Sequence, residues 1–275
     1  CSQNVEYFPA RQASEINPDT HLVLTFKEAP TAGEAGFIRI WDAVSGECVD
    51  SLDLSLPSGL TESRTYGEDC DYTKVPYDYS RDFVATNRNT IPGTPSGTAE
   101  PTPRDMQLTI IGGFTDGFRF HPVIVHDNTA TIYPHNNMLE YGHEYYVTID
   151  EGAIVCGGFK GIKKGDWSFT TKASGPVDPK HLRVNADGSG DFNTVQGALD
   201  AVPDFCKDTT TIEIAAGDYE EIVYARNKTN VIIKGAGKDA TKVHYANNEV
   251  FNPHPLTVKT NEWPGTFPSR RAAFA

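Results

Sequence analysis

The stretch DGSGDFNTVQGALDAVPD, residues 187–204, joins a glycine-rich turn to a short amphipathic segment. Apolar residues recur there at helical spacing, at Val195, Ala198, Leu199 and Val202. Because this spacing puts all four on one face, the segment predicts a short helix that packs through that face. Asp191 or Asn193 is expected to cap the N terminus of the helix, and Pro203 is expected to end it.

Downstream of the predicted helix, strand-like runs begin near Ile212, Val231 and Leu256. Their starts lie roughly 20 to 25 residues apart, a spacing typical of the rungs of a parallel β-helix. In such a fold the helix would cover the otherwise open first rung. The spacing by itself also fits irregular β structure.

The order of the motifs in this region is more specific than their spacing. DGSGDF-x-T-V-Q-x-A-L-D-A-V-P is followed by I-x-I-x-x-G-x-Y-x-E and then by N-V-I-I-K-G-x-G. This order resembles the start of the pectin methylesterase (pectinesterase) family. The matching positions are Asp187, Gly188, Gly190, Asp191, Phe192, Val195, Gln196, Ala198, Gly217, Tyr219, Glu221, Gly235 and Gly237. The resemblance implies that residues 181–275 are the N-terminal part of a catalytic right-handed parallel β-helix with a short N-terminal capping helix.

The G-x-Y-x-E element, formed by Gly217, Tyr219 and Glu221, is a structural signature in that family. The resemblance implies that Gly217 lies at a corner between rungs, where a positive φ is expected. It also implies that Tyr219 packs between coils. A catalytic carboxylate at Glu221 is the alternative, which the family pattern disfavours.

The resemblance also implies a chemistry. Pectinesterases hydrolyse the methyl esters of polygalacturonate with two aspartates, one attacking the ester carbonyl and one transferring a proton. The motifs that carry these groups, of the Q-D-T, D-F-I-F-G and L-G-R-x-W kinds, do not occur in the sequence. The catalytic residues are therefore expected beyond Ala275, and the chain alone is expected to be an inactive N-terminal fragment. The resemblance implies no cofactor, and the sequence shows no metal-ligand spacing.

The segment T-F-P-S at 266–269 resembles the T-F-x-S segment that lines the substrate groove in the family. By position, Thr266 would contact pectin (homogalacturonan), although an ordinary polar turn residue would fit equally well. Arg270 and Arg271 follow it, and guanidinium groups pair well with galacturonate carboxylates. Solvated rung edges are the commoner role for such a pair.

Residues 15–173 show short alternating apolar runs separated by turns, which predict a mainly β fold. Strands are expected at 21–26, 36–41, 106–111, 123–125, 129–133, 145–149 and 167–171. NPDTHLVLTFKEAP near the start and GDWSFTTK near the end resemble bacterial Ig-like domains, which implies a β-sandwich. Residues 57–105, rich in Ser, Thr, Gly and Pro, indicate a long insertion, and 174–180 indicate an interdomain linker.

The first residue predicts a cellular location. Cys1 opens a polar segment without an initiator Met, as in a mature bacterial lipoprotein. Residues 1–14 would then be a tether with lipid on Cys1, holding an exported protein at the outer membrane, in the periplasm or on the cell surface. A sequence boundary that happens to fall at a cysteine is the alternative. The remaining cysteines, Cys48, Cys70, Cys156 and Cys206, lack zinc or redox spacing and allow at most two disulfides.

Composition narrows the class of partner. A net charge of −13 without any basic cluster argues against nucleic acid. No apolar run approaches the roughly 20 residues that a membrane-spanning helix needs. An exported pectinesterase, a carboxylic ester hydrolase, is the first hypothesis. A non-catalytic pectin- or carbohydrate-binding surface protein is the alternative, and a pectate lyase-like β-helix is disfavoured because the motif pair is not its signature.

Overall fold

A computed structural model describes residues 5–56, 83–87, 98–101, 107–109, 111, 118–119, 121–245 and 273. These ranges are mainly β and contain a single short helix. Two parts of the chain differ in strand direction. We call residues 5–173 the first unit and residues 181–245 the parallel unit.

The first unit contains two larger sheets. One has four antiparallel strands in the order β1-β3-β12-β11, formed by Glu6–Phe8, Leu22–Thr25, Thr129–Ile132 and Val123–His126. The other has five strands in the order β2-β15-β13-β5-β6, formed by Ala13–Ile16, Ser168–Thr171, Glu144–Ile149, Phe37–Asp42 and Cys48–Asp53. Neighbouring strands in the second sheet are antiparallel except β2 and β15, which run parallel.

Side-chain alternation explains how the two sheets bury one core. Leu22 and Leu24 of β3 are fully buried, whereas the intervening Val23 is only half-buried. Ile38 and Ile40 alternate in the same way on β5 of the other sheet, and all four belong to one hydrophobic cluster. The predicted strands at 21–26, 36–41, 123–125, 129–133, 145–149 and 167–171 are confirmed, with ends that differ by at most one residue. The Ig-like assignment stays a prediction.

The region predicted as an insertion, 57–105, contains strands that the sequence did not indicate. Phe83–Asn87 (β7) pairs antiparallel with Thr98–Pro101 (β8). Two further small sheets follow the same antiparallel pattern. They pair β9 (Leu108–Thr109) with β10 (Phe118–Arg119), and β4 (Thr31–Ala32) with β14 (Ile154–Val155).

The parallel unit stacks its strands in two parallel sheets. The first sheet consists of β16 (His181–Val184), β17 (Thr210–Ile214) and β19 (Val231–Gly235). The second consists of β18 (Gly217–Glu220) and β20 (Thr241–His244). Leu182, Ile212 and Ile233 lie in register across the first sheet. The predicted run near Leu256 lies outside the described residues.

The predicted helix is present as α1, Val195–Ala201, with Val202 as its C-cap. Its four predicted apolar residues are all buried, and they share a core with Leu182 and Ile212. The predicted N-cap was wrong, because Thr194 caps the helix and accepts a hydrogen bond from Gly197 N at 2.9 Å. Asp191 instead pairs with Arg183.

Two other expectations can be compared with the structure. Residues 172–180 lie between β15 and β16, and Val177 is fully exposed there. The interdomain linker at 174–180 stays a prediction. Gly217 lies inside β18 without a positive φ, so the expected left-handed corner at this position was wrong. Cys48 and Cys206 carry free thiols, whereas Cys70 lies outside the described residues.

Candidate functional site

A groove of about 640 Å³ lies between the first unit and the parallel unit. One wall is the face of β3 and β12 that carries Val23 and Thr131, opposite the core. The other wall contains Asp218 and Glu220 of β18 and His244 of β20. The titratable groups that line the groove are His21, His126, Asp187, Asp218, Glu220, Tyr133, Tyr219, Glu221 and His244. Its volume falls in the range of small-molecule sites, roughly 300 to 1,000 Å³.

Two histidine–carboxylate pairs lie in this groove. His126 Nε2 of the first unit lies 2.8 Å from Glu220 Oε2 of the parallel unit, so this pair bridges the two walls. His244 contacts Asp218 on the neighbouring parallel strand. The His126 side chain is 66% exposed and that of Glu220 only 16%, so the imidazole remains accessible to a ligand while the carboxylate is mostly covered.

Glu221 lies at the inner end of the groove, where it meets the N terminus of α1. Its carboxylate oxygens accept hydrogen bonds from Val195 N at 2.8 Å and Gln196 N at 3.0 Å. Burial raises the pKa of Glu221 to about 7, with further increases from the nearby charges of Asp19 and Asp200 and an opposing effect of the two backbone donors. Glu221 therefore supplies acceptors for two of the free N–H groups in the first helical turn.

Tyr219 and Gly217 lie on the strand that leads into Glu221. The Tyr219 ring is buried in the core of the parallel unit, and its hydroxyl donates to Ala215 O at 3.2 Å. Burial raises the pKa of this phenol. A Cβ at position 217 would lie 3.3 Å from the edge of the Tyr219 ring, a tight contact that glycine avoids.

The polar side chains of the groove suit a ligand with many hydroxyl groups. Carboxylates accept hydrogen bonds from hydroxyls, and imidazole nitrogens can donate or accept. Within the described ranges no cluster of three or more His, Cys, Asp or Glu residues could hold a metal ion. Three carboxylates of the groove, at Asp187, Asp218 and Glu220, disfavour an anionic ligand unless its own carboxylates are esterified.

The structure brings some of the sequence-predicted residues together and does not describe others. Gly217, Tyr219 and Glu221 lie on one continuous segment beside the groove and α1. Thr266, Cys1, Arg270 and Arg271 all lie outside the described residues. In the part of the chain that the structure does describe, no helix is both long and apolar enough to cross a bilayer.

Sequence reasoning missed two residues of this region, Asp19 and His126. Asp19 accepts hydrogen bonds at the start of α1, and His126 forms the bridge across the groove. Both lie in the first unit, far along the chain from their partners. The only local signal was the NPDT turn at 17–20, which contains Asp19 but does not indicate what it contacts.

The fold defines a class of protein in which stacked parallel strands, closed by a short helix, are docked against antiparallel sheets. Residues 181–263 match the model of the family described as Pectinesterase. This match begins with β16 and includes every strand of the parallel unit. That part of the chain is therefore similar to pectinesterases.

Individual relatives agree with the family match. A putative pectinesterase/pectinesterase inhibitor 26 from Arabidopsis thaliana is 41% identical over 81 residues, covering 29% of this chain and 8% of the relative. A pectinesterase from Petunia integrifolia is 37% identical over 78 residues, covering 28% of this chain and 20% of the relative. The solved pectin methylesterase from carrot is 38% identical, with a TM-score of 0.24, over 27% of this chain and 24% of that one. The chain spans a quarter or less of the length of each of these proteins.

Proposed function

We propose that residues 181–275 form the opening part of a pectinesterase catalytic domain, and that the protein hydrolyses methyl esters of homogalacturonan. The observation that carries this proposal is the match of 181–263 to the family, which includes both parallel sheets and α1. The parallel register of β16, β17 and β19 supports a β-helix, since such a fold stacks equivalent strands in this way. The preceding antiparallel sheets are compatible with an Ig-like domain.

We also propose that Gly217, Tyr219 and Glu221 are structural rather than catalytic. Both oxygens of the Glu221 carboxylate accept hydrogen bonds from the helix backbone, which leaves it poorly placed to attack an ester. Two aspartates would perform the chemistry, one as nucleophile and one as proton donor and acceptor. They belong to motifs that do not occur in residues 1–275. Thr266 remains the proposed substrate-contacting residue.

Because pectin is a polysaccharide of plant cell walls, we propose that the protein works outside the cell that makes it. Lipid attachment at Cys1 and a place on a bacterial outer membrane or surface stay predictions. Mass spectrometry of the protein taken from its native membrane fraction tests them. A diacylglyceryl mass on Cys1 is the expected result, and an unmodified thiol there contradicts it.

A non-catalytic carbohydrate-binding role is the second candidate, and the groove between the units is the observation that favours it. Its volume of about 640 Å³ accommodates a short saccharide, and its exposed carboxylates and imidazoles can pair with sugar hydroxyls. The groove would prefer methylated oligogalacturonides, because de-esterified ones carry a charge of the same sign as Asp187, Asp218 and Glu220.

The first experiment measures methanol release from highly methylated pectin. It compares the 275-residue chain with the product of the longest open reading frame that includes it, under identical conditions. We expect methanol from the longer product and none above the enzyme-free control from the 275-residue chain. Methanol release by the 275-residue chain overturns the proposal that the catalytic aspartates lie elsewhere. An inactive longer product without the aspartate motifs overturns the esterase proposal.

The second experiment tests the groove by calorimetric titration of the 275-residue chain with methylated and de-esterified oligogalacturonides. The variant Asp218→Asn changes a groove carboxylate, and Glu151→Gln changes an exposed carboxylate that pairs with Lys160 away from the groove. Binding of the methylated form that Asp218→Asn alters and Glu151→Gln leaves unchanged supports the binding role. Equal effects of the two variants, or no binding at all, contradict it.

A further inference from the structure

The N terminus of α1 is held by carboxylates from both units. Glu221 of the parallel unit accepts hydrogen bonds from Val195 N and Gln196 N. Asp19 of the first unit accepts from Asn193 N at 2.9 Å and Thr194 N at 2.8 Å. The first helical turn and the two residues before it thus find their acceptors on opposite sides, one in each unit.

The Thr194 hydroxyl links the two units through one atom. It donates to Asp19 Oδ2 at 2.8 Å and accepts from Gly197 N at 2.9 Å. The Asp19 carboxylate therefore fixes the orientation in which this hydroxyl can cap the helix. An N-cap hydroxyl typically contributes about 1 kcal/mol to helix stability, and here that contribution depends on a residue of the first unit.

Gly197 provides the space that Asp19 occupies. A Cβ at this helical position would lie 2.3 Å from Asp19 Oδ2 and 2.8 Å from Asp19 Cβ, well inside van der Waals contact. The backbone of Gly197 is helical and needs no positive φ, so an alanine is excluded only by the approach of the first unit. The glycine at this position is thus explained by docking and not by the helix itself.

Other polar contacts extend the same interface along α1. Asn17 Nδ2 donates to Asn193 Oδ1 at 2.8 Å, and Lys172 Nζ donates to Gly190 O at 2.8 Å. Near the other end of the helix, the Asp200 carboxylate accepts from Asn136 Nδ2 at 3.1 Å and Asn137 Nδ2 at 2.7 Å. The first unit therefore contacts α1 and its preceding turn through side chains at 17, 19, 136, 137 and 172.

We infer that the first unit is a permanent cap of the parallel unit, held in place by the close contact between Asp19 and Gly197. It is not a module tethered by a flexible linker. The helix closes the hydrophobic core of the parallel strands, and Asp19 of the first unit orients the Thr194 hydroxyl that caps that helix. The two units should then unfold together. This inference does not depend on the substrate of the protein or on esterase activity.

The test is a double-mutant cycle on the 275-residue chain, followed by differential scanning calorimetry. In the wild-type background, Gly197→Ala should lower the Tm by about 5 °C or more, because its methyl overlaps Asp19. In an Asp19→Gly background, which removes every side-chain atom that meets the new methyl, the same Gly197→Ala change should leave the Tm unchanged or raise it by about 2 °C, because alanine favours helix over glycine. Each protein should show one transition.

Controls and alternative outcomes keep the inference open to refutation. Glu47→Ala, at an exposed position of the first unit, is the control background, in which Gly197→Ala should still lower the Tm by the full amount. If Asp19→Gly does not fold, Asp19→Ala takes its place; it removes the two nearest atoms, Oδ2 and Cγ, and should reduce the loss of Tm. An equal loss of Tm from Gly197→Ala in all backgrounds would show that Asp19 does not cause the loss, and overturns the role of the Asp19–Gly197 contact. Two separate transitions, only one of which moves with Asp19, overturn the permanent cap.

Discussion

The two units close their hydrophobic cores in different ways. In the first unit two sheets face one another, and Trp167 and Phe169 of the shared core are almost completely inaccessible. In the parallel unit, exposure changes along the stack of strands. Ile212 of β17 is 0% exposed, whereas Ile232 and Ile233 of β19 are 52% and 39% exposed. The core of the first unit is formed by its own two sheets together with Ile222 of the parallel unit. The parallel unit relies on α1 at one side, and the cap of α1 relies on Asp19 of the first unit.

The largest loss of stability from a single substitution is expected in the first unit. Trp167 is fully buried, its ring contacts Tyr7 edge-on at 5.1 Å, and its Nε1 donates to Pro9 O at 2.9 Å. Trp167→Ala should lower the free energy of unfolding by about 3 to 5 kcal/mol through the cavity that it leaves. Urea unfolding followed by circular dichroism measures this. Val44→Ala, at an 89% exposed position, is the control and should change stability by less than about 0.5 kcal/mol.

Within the parallel unit, the stability lost on substitution by alanine is expected to fall steeply from β17 to β19. Ile212→Ala should cost about 2 to 5 kcal/mol, because Ile212 lies between the strands and α1 in the core. Ile233→Ala, at the paired position on β19, should cost about 1 kcal/mol or less because Ile233 is partly exposed. Both values come from the same urea titrations. Equal costs at the two positions would show that exposure in this stack does not determine stability.

The pH dependence of stability should reflect the carboxylates around α1. The pKa of Glu221 is about 7 in the folded protein against an ordinary 4.5, and burial also raises the pKa of Asp19 and of Asp200. Between about pH 4 and 6.5 His21, whose pKa burial lowers to about 4, makes the free energy of unfolding rise with pH. Between about pH 4.5 and 7 the three carboxyl groups hold more protons in the folded than in the unfolded state, so their own contribution to the free energy of unfolding falls as pH rises. Glu221 accounts for about 3 kcal/mol of this loss at most.

The measurement compares Tm at pH 5 and pH 7 for the wild type and Glu221→Gln. The Tm of the wild type relative to that of the variant should fall from pH 5 to pH 7, because only the wild-type side chain titrates at this position. Asp42, whose pKa is lowered mainly by a hydrogen bond from Ser45 N, acts with the opposite sign but only below about pH 4. A difference in Tm between wild type and Glu221→Gln that stays the same at pH 5 and pH 7 is the outcome that contradicts this assignment.

Local pattern predicted a large part of this fold. Alternating residues such as Leu22 and Leu24 identified strands, and the apolar face of α1 was correct in all four positions. The predicted N-cap was wrong because Thr194, directly before the helix, has an extended backbone and its hydroxyl accepts from Gly197 N, whereas Asp191 pairs with Arg183. The groove and the contacts of Asp19 join residues that are distant in sequence. A single sequence contains no period or spacing that relates such pairs.

The smallest contribution to stability is expected from the bridge across the groove. His126 and Glu220 join the two units at 2.8 Å, yet the histidine is 66% exposed and water competes for it. A double-mutant cycle with His126→Ala and Glu220→Gln should therefore give a coupling of about 1 kcal/mol or less in urea unfolding. The distance alone would suggest that this bridge holds the units together, but exposed pairs contribute little. A coupling here larger than that between Asp19 and Gly197 would reverse the ranking, and would place the main attachment of the two units in the groove and not at the helix.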